Sequence, residues 1–257
     1  MIVVLVGMVA GAPLLTPYHE PLRLVANPFI PPTLAHPMGT DDLGRDIFSE
    51  VLYGASTSMT VGFFAAVTSV LIGMLVGAIA GYYGKIVDDA LMRITELFQV
   101  IPNLLLALVA VAIIGPTIWN LIWVIGVTAW PSTARLVRAE FLTLRERTFV
   151  EAARGLGASN LRIMFGEILP NAMGPVIVNG SFGMAFAIIL EAGLSFLGLG
   201  DPNIASLGRL LIEAQAYLRI AWWISFFPGL FIALIVLSLN LIGDGLNEAL
   251  NPRLRER

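Results

Sequence analysis

From Thr57 to Tyr82 the chain runs without a single Asp, Glu, Lys or Arg. As a helix, that stretch is long enough to cross a hydrocarbon core of roughly 30 Å. Gly73, Gly77 and Gly81 recur at every fourth position and share one helix face. Two overlapping GxxxG steps let a neighbouring helix approach closely, which predicts a span packed inside a bundle. Composition extends the argument to the rest of the chain. Only 13% of its 257 residues are charged, against about 25% in ordinary globular proteins, and mean hydropathy is +0.84. A water-soluble chain could not cover its surface with so few charges, whereas a bilayer removes that need. The sequence is that of an all-α, polytopic membrane protein.

Six spans are expected. Met1 to Leu15 is apolar but covers only roughly 22 Å as a helix. It lacks the basic start of a cleaved signal peptide and is read as a first membrane helix with a clipped start. A Pro-rich connection, 16–56, follows, ending in Gly39-Thr40-Asp41-Asp42-Leu43-Gly44-Arg45-Asp46. Its carboxylates do not have the spacing of an EF-hand, and Arg45 would oppose a bound calcium. Thr40 or Asp41 is expected to cap a short interfacial helix. Beyond the 57–82 span lies a polar turn at 84–89. A third span, about 97–114, bends near Pro102. The fourth, 117–137, has Trp119, Trp123 and Trp130 as interface anchors and Pro131 as a kink. A fifth covers 172–194, and a sixth runs from Trp222 to about Ile242. The expected organisation is a first helix at 1–15, a loop at 16–56, a five-helix domain at 57–250 and a polar tail at 251–257.

Orientation follows from the basic residues. Lys85, Arg93, Arg135, Arg138, Arg145, Arg147, Arg154, Arg162, Arg253, Arg255 and Arg257 fall on one side. Arg23, Arg45, Arg209 and Arg219 fall on the other. The excess predicts that both termini and the 148–170 segment face the cytoplasm, with the loops at 16–56 and 193–221 outside.

That segment is the most structured polar stretch in the chain. Thr148 and Glu151 have capping-box spacing. Phe149, Val150, Ala153 and Leu156 are predicted to share one face of a short helix. Gly157 can take the left-handed conformation that closes it. Ser159 caps a second helix, which Pro170 ends or bends. A helix so short is marginal alone, so its apolar face is expected to dock against something.

Chemistry within the chain is limited. No cysteine is present, and the two histidines, His19 and His36, share one loop, which excludes disulfides and HExxH zinc sites. No P-loop, nucleophile elbow or protease dyad is found, so no catalytic residue and no metal ligand is assigned. Glu96, Glu191 and Asp244 lie towards span ends, where water or headgroups reach them. No charged midplane site of the kind secondary carriers use is evident. Such a bundle points to a translocation path powered from outside the chain.

Glu151-Ala152-Ala153, three residues, Gly157 and then Leu169-Pro170 resemble the EAA loop of ABC importer permeases, with Glu167 where that pattern has Ile. Gly39–Asp46, Ala134-Arg135-Leu-Val-Arg138-Ala-Glu140, Leu194-Ser195-Phe-Leu-Gly198-Leu-Gly200 and Asn240-Leu-Ile-Gly243-Asp244-Gly245-Leu are similar to the peptide/nickel permeases, above all the C-type subunit of dipeptide and oligopeptide importers. One departure is Ser206-Leu207-Gly208, where Ser-Trp-Gly is expected.

The resemblance implies a type I importer bundle that forms half of a pathway in a prokaryotic cell membrane. A homologous second permease, two ABC ATPase subunits and an extracytoplasmic binding protein would complete it. ATP and magnesium would sit on the ATPases, with no cofactor on this chain. The implied cargo is a short peptide, with nickel or another small solute as the alternative; a stand-alone carrier or channel is a further alternative. No nucleic-acid partner is expected. Phe149, Val150, Glu151, Ala152, Ala153, Leu156 and Gly157 would form the coupling element seated in an ATPase groove. Asp41, Gly44, Arg45 and Asp46 would either cap the outer loop or meet the binding protein. Asn179, Ser181 and Glu191 are candidates for the path, Glu191 being either a solvated helix end or a substrate contact.

Overall fold

A computed structural model describes residue 7, residues 11–16, residue 18 and residues 20–250. Of the expected first helix it describes little beyond α1 (Ala12–Leu15), and the 251–257 tail lies outside the described residues.

The charge-free run is part of a longer helix, α2 (Ile47–Tyr83). Asp46 caps it, accepting from the Ser49 amide at 2.9 Å and the Ser49 hydroxyl at 2.8 Å. The expected cap at Thr40 or Asp41 is therefore corrected. Asp41 instead folds its own turn, accepting from the amides of Leu43 (2.9 Å) and Arg45 (2.6 Å). No proline interrupts the chain between Asp46 and Thr57, so the expected interfacial helix and the span merge.

The chain reverses at Gly84 (φ 64°) into α3 (Lys85–Val100), so the expected polar turn is largely helical. Next comes α4 (Asn103–Ile114), bent by 84° from α3. The break falls at Ile101, which is extended because Pro102 follows it. So sharp a break makes the pair a broken span or a re-entrant loop, not the gently bent third span expected.

Helix α5 (Ile118–Leu144) continues through Pro131 and runs parallel to α2. A Cβ built on Gly73 would lie 2.6 Å from the Thr133 Cβ, and one on Gly81 would lie 2.6 Å from the Phe141 Cβ. On Gly77 it would lie 2.8 Å from the Val137 Cβ. Both partners step by four residues, so the glycine stripe is the seam that brings the two backbones together. Trp119 and Trp123 are exposed as anchors would be, but Trp130 is buried against Phe98, so it does not anchor at an interface.

After α6 (Thr148–Gly155) comes α7 (Asn160–Leu199), which crosses antiparallel to α2. Pro170 does not end or separate the second cytoplasmic helix. A wide π turn at Ile163–Ile168 precedes it and Pro170 enters at the start of the next α segment, so the helix runs on. Two further helices complete the fold: α8 (Leu207–Ala214) and α9 (Trp223–Leu250).

Among the described residues, α2, α7 and α9 are each long and apolar enough to cross a bilayer, and the bent pair α3–α4 makes a fourth candidate. No strand occurs among them. Only single antiparallel bridges, Leu24–Arg45 and Thr40–Asp46, order the Pro-rich loop.

Candidate functional site

Three places in the bundle gather the candidate residues. At the Tyr83 end of α2 lies the loop built on α6. Arg147, extended at φ −84° and ψ 149°, precedes that helix, and no side chain caps its start. Thr148 is already helical, one position too far along for the capping box, which is therefore corrected. The Arg147 carbonyl instead accepts from the amides of Val150 and Glu151.

The other end closes as expected. Gly157 is left-handed (φ 77°), its amide donates to the Arg154 carbonyl at 3.0 Å, and that of Ala158 donates to Ala153 at 3.1 Å. These two bonds make a Schellman motif. Ser159 then accepts from the Arg162 amide at 3.4 Å and starts α7.

The apolar face of α6 divides, which corrects the expectation of a single outward face. Val150 is fully buried and Ala153 partly so, both against the chain's own core of Tyr82, Val137, Phe141, Ile163 and Met164. Phe149, Glu151, Ala152, Arg154 and Leu156 stay exposed, Leu156 at 88%. Positions 150 and 153 share one helix face and Leu156 lies beyond the last helical turn, so one face cannot hold all four.

Contacts not evident from spacing tie this loop to the bundle. The Tyr82 phenol donates to Asn160 Oδ1 at 2.8 Å, and the Arg154 guanidinium lies 5.8 Å above the Tyr82 ring. Arg145 donates to the Gly81 carbonyl at 3.0 Å, satisfying an end of α2 that has no intrahelical donor. Arg138 and Asp88 form a two-pronged pair at 2.5 and 2.6 Å.

At the Ile47 end sits Arg45. Its Nε lies 3.7 Å from Asp41, and its Nη1 lies 3.4 Å from Glu50 and 3.5 Å from Glu213. Arg209 also binds Glu213, at 2.8 Å. Burial pushes the Asp41 carboxyl above its ordinary range, an effect partly offset by the Arg45 and Leu43 amides and the Arg45 charge. Gly44 is left-handed (φ 84°), and its carbonyl accepts from Val25 and Ala26. Asp46, besides capping α2, pairs with His36 Nδ1 at 2.9 Å. The sequence singled out Asp41, Gly44, Arg45 and Asp46 but not Glu50, Glu213 and His36, which only the fold brings to them.

Between α2, α4, α5 and α7 is a cavity of about 300 Å³. Ser69, Asn103, Ser132, Thr133 and Asn179 give it polar walls, and Phe182 and Phe186 line it as well. The Asn179 amide donates to the Thr133 hydroxyl at 2.9 Å. Ser181 is not in this wall; it bonds the Val178 carbonyl and packs beside Gly243 of α9.

Glu191 is neither solvated nor on the cavity. It is 1% exposed, and the hydroxyls of Ser58 and Ser195 donate to its two oxygens, each at 2.7 Å. Water is excluded there because α8 covers that end of α7, with Leu207 fully buried and Gly208 lying against Ala192.

A membrane-embedded helical bundle, a polar cavity among its crossing helices and a capped helical loop at one end make up the plan of a transport-system permease. The chain belongs to the family described as binding-protein-dependent transport system inner membrane component, whose model matches residues 73–256. It is 41% identical over 245 residues to the dipeptide transport system permease protein DppC of Alkalihalophilus pseudofirmus, covering 95% of this chain and 81% of that one. It is 37% identical over 257 residues to the oligopeptide transport system permease protein OppC of Bacillus subtilis, covering 100% and 84%. The glutathione transport system permease protein GsiD of Pectobacterium atrosepticum is 41% identical, with 87% and 75% covered. The fold matches a chain of the MetNI methionine ABC transporter in an inward-facing conformation, with a TM-score of 0.62 and 21% identity, over 78% of this chain and 96% of that one.

Proposed function

We propose that this chain is a permease subunit of an ABC importer and forms half of the pathway for short peptides. A second permease supplies the other half. An extracytoplasmic binding protein delivers the cargo, and two ATPase subunits, which hold ATP and magnesium, drive the cycle. The chain has no nucleotide site of its own in this reading. The N- and C-termini and α6 face the cytoplasm. The exposed side of α6 enters a groove on an ATPase, with Phe149 and Leu156 as apolar contacts and Glu151 and Arg154 as polar ones.

The observation that carries the reading is the division of α6. Its Val150 side is anchored in the bundle core, while Phe149 and Leu156 stand exposed on a helix closed by Gly157. A rigid knob attached to one end of α2 and α7 is what a moving partner needs to grip. The peptide relatives support the cargo.

Co-expression with the neighbouring transport subunits tests the reading. A complex containing a second permease and two ATPases, importing dipeptide into vesicles only with ATP and the binding protein, is the expected result. Import by this chain alone would overturn it.

A further inference from the structure

Three arginines lie along the second half of α5 and its C-terminal cap, and two of them are used within the chain. Arg138 holds Asp88, and Arg145 holds the Gly81 carbonyl. Arg135 is exposed and has no hydrogen-bond or ion-pair partner among the described residues. It lines a groove of about 680 Å³ together with Gln99, Asn103, Leu104, Phe186 and Leu190. Asn103 and Phe186 also line the Asn179 cavity, so the two spaces adjoin.

No acid lines this groove. An arginine on a membrane helix needs water or an anion to meet it, and an anion entering this groove would find Arg135 with no acid of this chain already on it. The groove is otherwise neutral, with apolar walls that strengthen a charge contact and two carboxamides able to donate and accept. A planar guanidinium matches a carboxylate with two parallel bonds.

We infer that Arg135, with Gln99 and Asn103 beside it, receives the carboxylate of the substrate as it leaves the Asn179 cavity. The inference rests on the peptide-import reading. It makes the groove a station specific for the terminal acid group and indifferent to side chains. The carboxamides then take the peptide's own N–H and C=O groups.

The test uses the complete importer in vesicles and compares a dipeptide free acid with its C-terminal amide. Arg135→Gln should cut free-acid uptake about tenfold, the effect of losing one charge-assisted contact, and leave amide uptake unchanged. Arg135→Lys should retain most free-acid uptake, and ATPase stimulation by the binding protein should persist in both variants, showing that they fold. Equal loss for both peptides, or no loss, overturns the inference.

A photo-crosslinking residue at Gln99 gives a second reading that does not depend on import of the amide. Labelling by radioactive dipeptide during turnover, reduced about tenfold by Arg135→Gln, supports the site; no labelling, or labelling indifferent to Arg135→Gln, overturns it. An Arg135 effect that appears only in vesicles of anionic lipid assigns the anion to a lipid phosphate and also overturns it. A wild-type complex that imports no peptide, but does import another solute, overturns the peptide-import reading itself.

Discussion

The Tyr82 phenol, at the end of α2, bonds Asn160, the first residue of α7, at 2.8 Å across 78 residues of sequence. Arg154 of α6 rests on the same ring. One side chain thus joins the exposed loop to two spanning helices. Tyr82→Phe keeps the ring and removes the bond, so it should destabilise this end by about 1 kcal/mol. Amide hydrogen exchange should accelerate in the residues around Asn160 while those of central α2 stay protected. Unchanged exchange there would show that the bond contributes nothing.

Gly157 is needed for its backbone. Valine at φ 77° is strained by roughly 1–2 kcal/mol, and the two bonds that close α6 would open. Nothing lies within 4 Å of a Cβ there, so no steric contact contributes. In the assembled importer, Gly157→Val should lower peptide uptake more than it lowers ATP hydrolysis, measured as peptides moved per ATP. Full uptake with normal stimulation would show that the helix end does not transmit motion.

The glycine seam can be separated from glycine in general. Gly77→Leu pushes α2 and α5 apart at Val137 and should cost roughly 1–3 kcal/mol by overpacking. Gly183→Ala, with nothing within 4 Å, should cost little. Thermal unfolding of the complex in detergent should rank them in that order, and equal midpoints would contradict the seam.

Arg45 faces Asp41, Glu50 and Glu213, with Arg209 on the far side of Glu213. Arg45→Met leaves these acids short of a cation and should cost roughly 3 kcal/mol near neutral pH. Asp41 already has a raised pKa, so the folded state holds its proton more tightly than the unfolded chain does. Removing the cation raises it further. The variant should therefore recover stability as pH falls through the folded pKa and lose it again as pH rises. Thermal melts of wild type and variant between mildly acidic and neutral pH should converge on the acid side; a constant gap would rule out the carboxylates as the cause.

Local chemistry made part of this legible. The charge-free run, the glycine period and the left-handed Gly157 are properties of short windows, and each appears where it was expected. The cap of α2 was misplaced because several acids follow one another from Asp41 to Asp46, and only the loop's path selects one. The continuity of α7 through Pro170 depends on a wider turn just before it, which sequence spacing does not show. Glu191 looked solvated because it lies near a span end, yet α8 folds over it from a later part of the chain.

The sequence by itself determined that this chain is an all-helical membrane protein, that the charge-free run belongs to a spanning helix, and that Gly157 closes the short helix before it. Those follow from how many charges a segment carries and where its glycines fall. Tertiary structure decided which side of α6 remains free, that Asn179 shares a polar cavity while Ser181 does not, and that Arg45 faces Glu213. Such outcomes depend on which distant surfaces meet, and burial is decided by whatever packs on top.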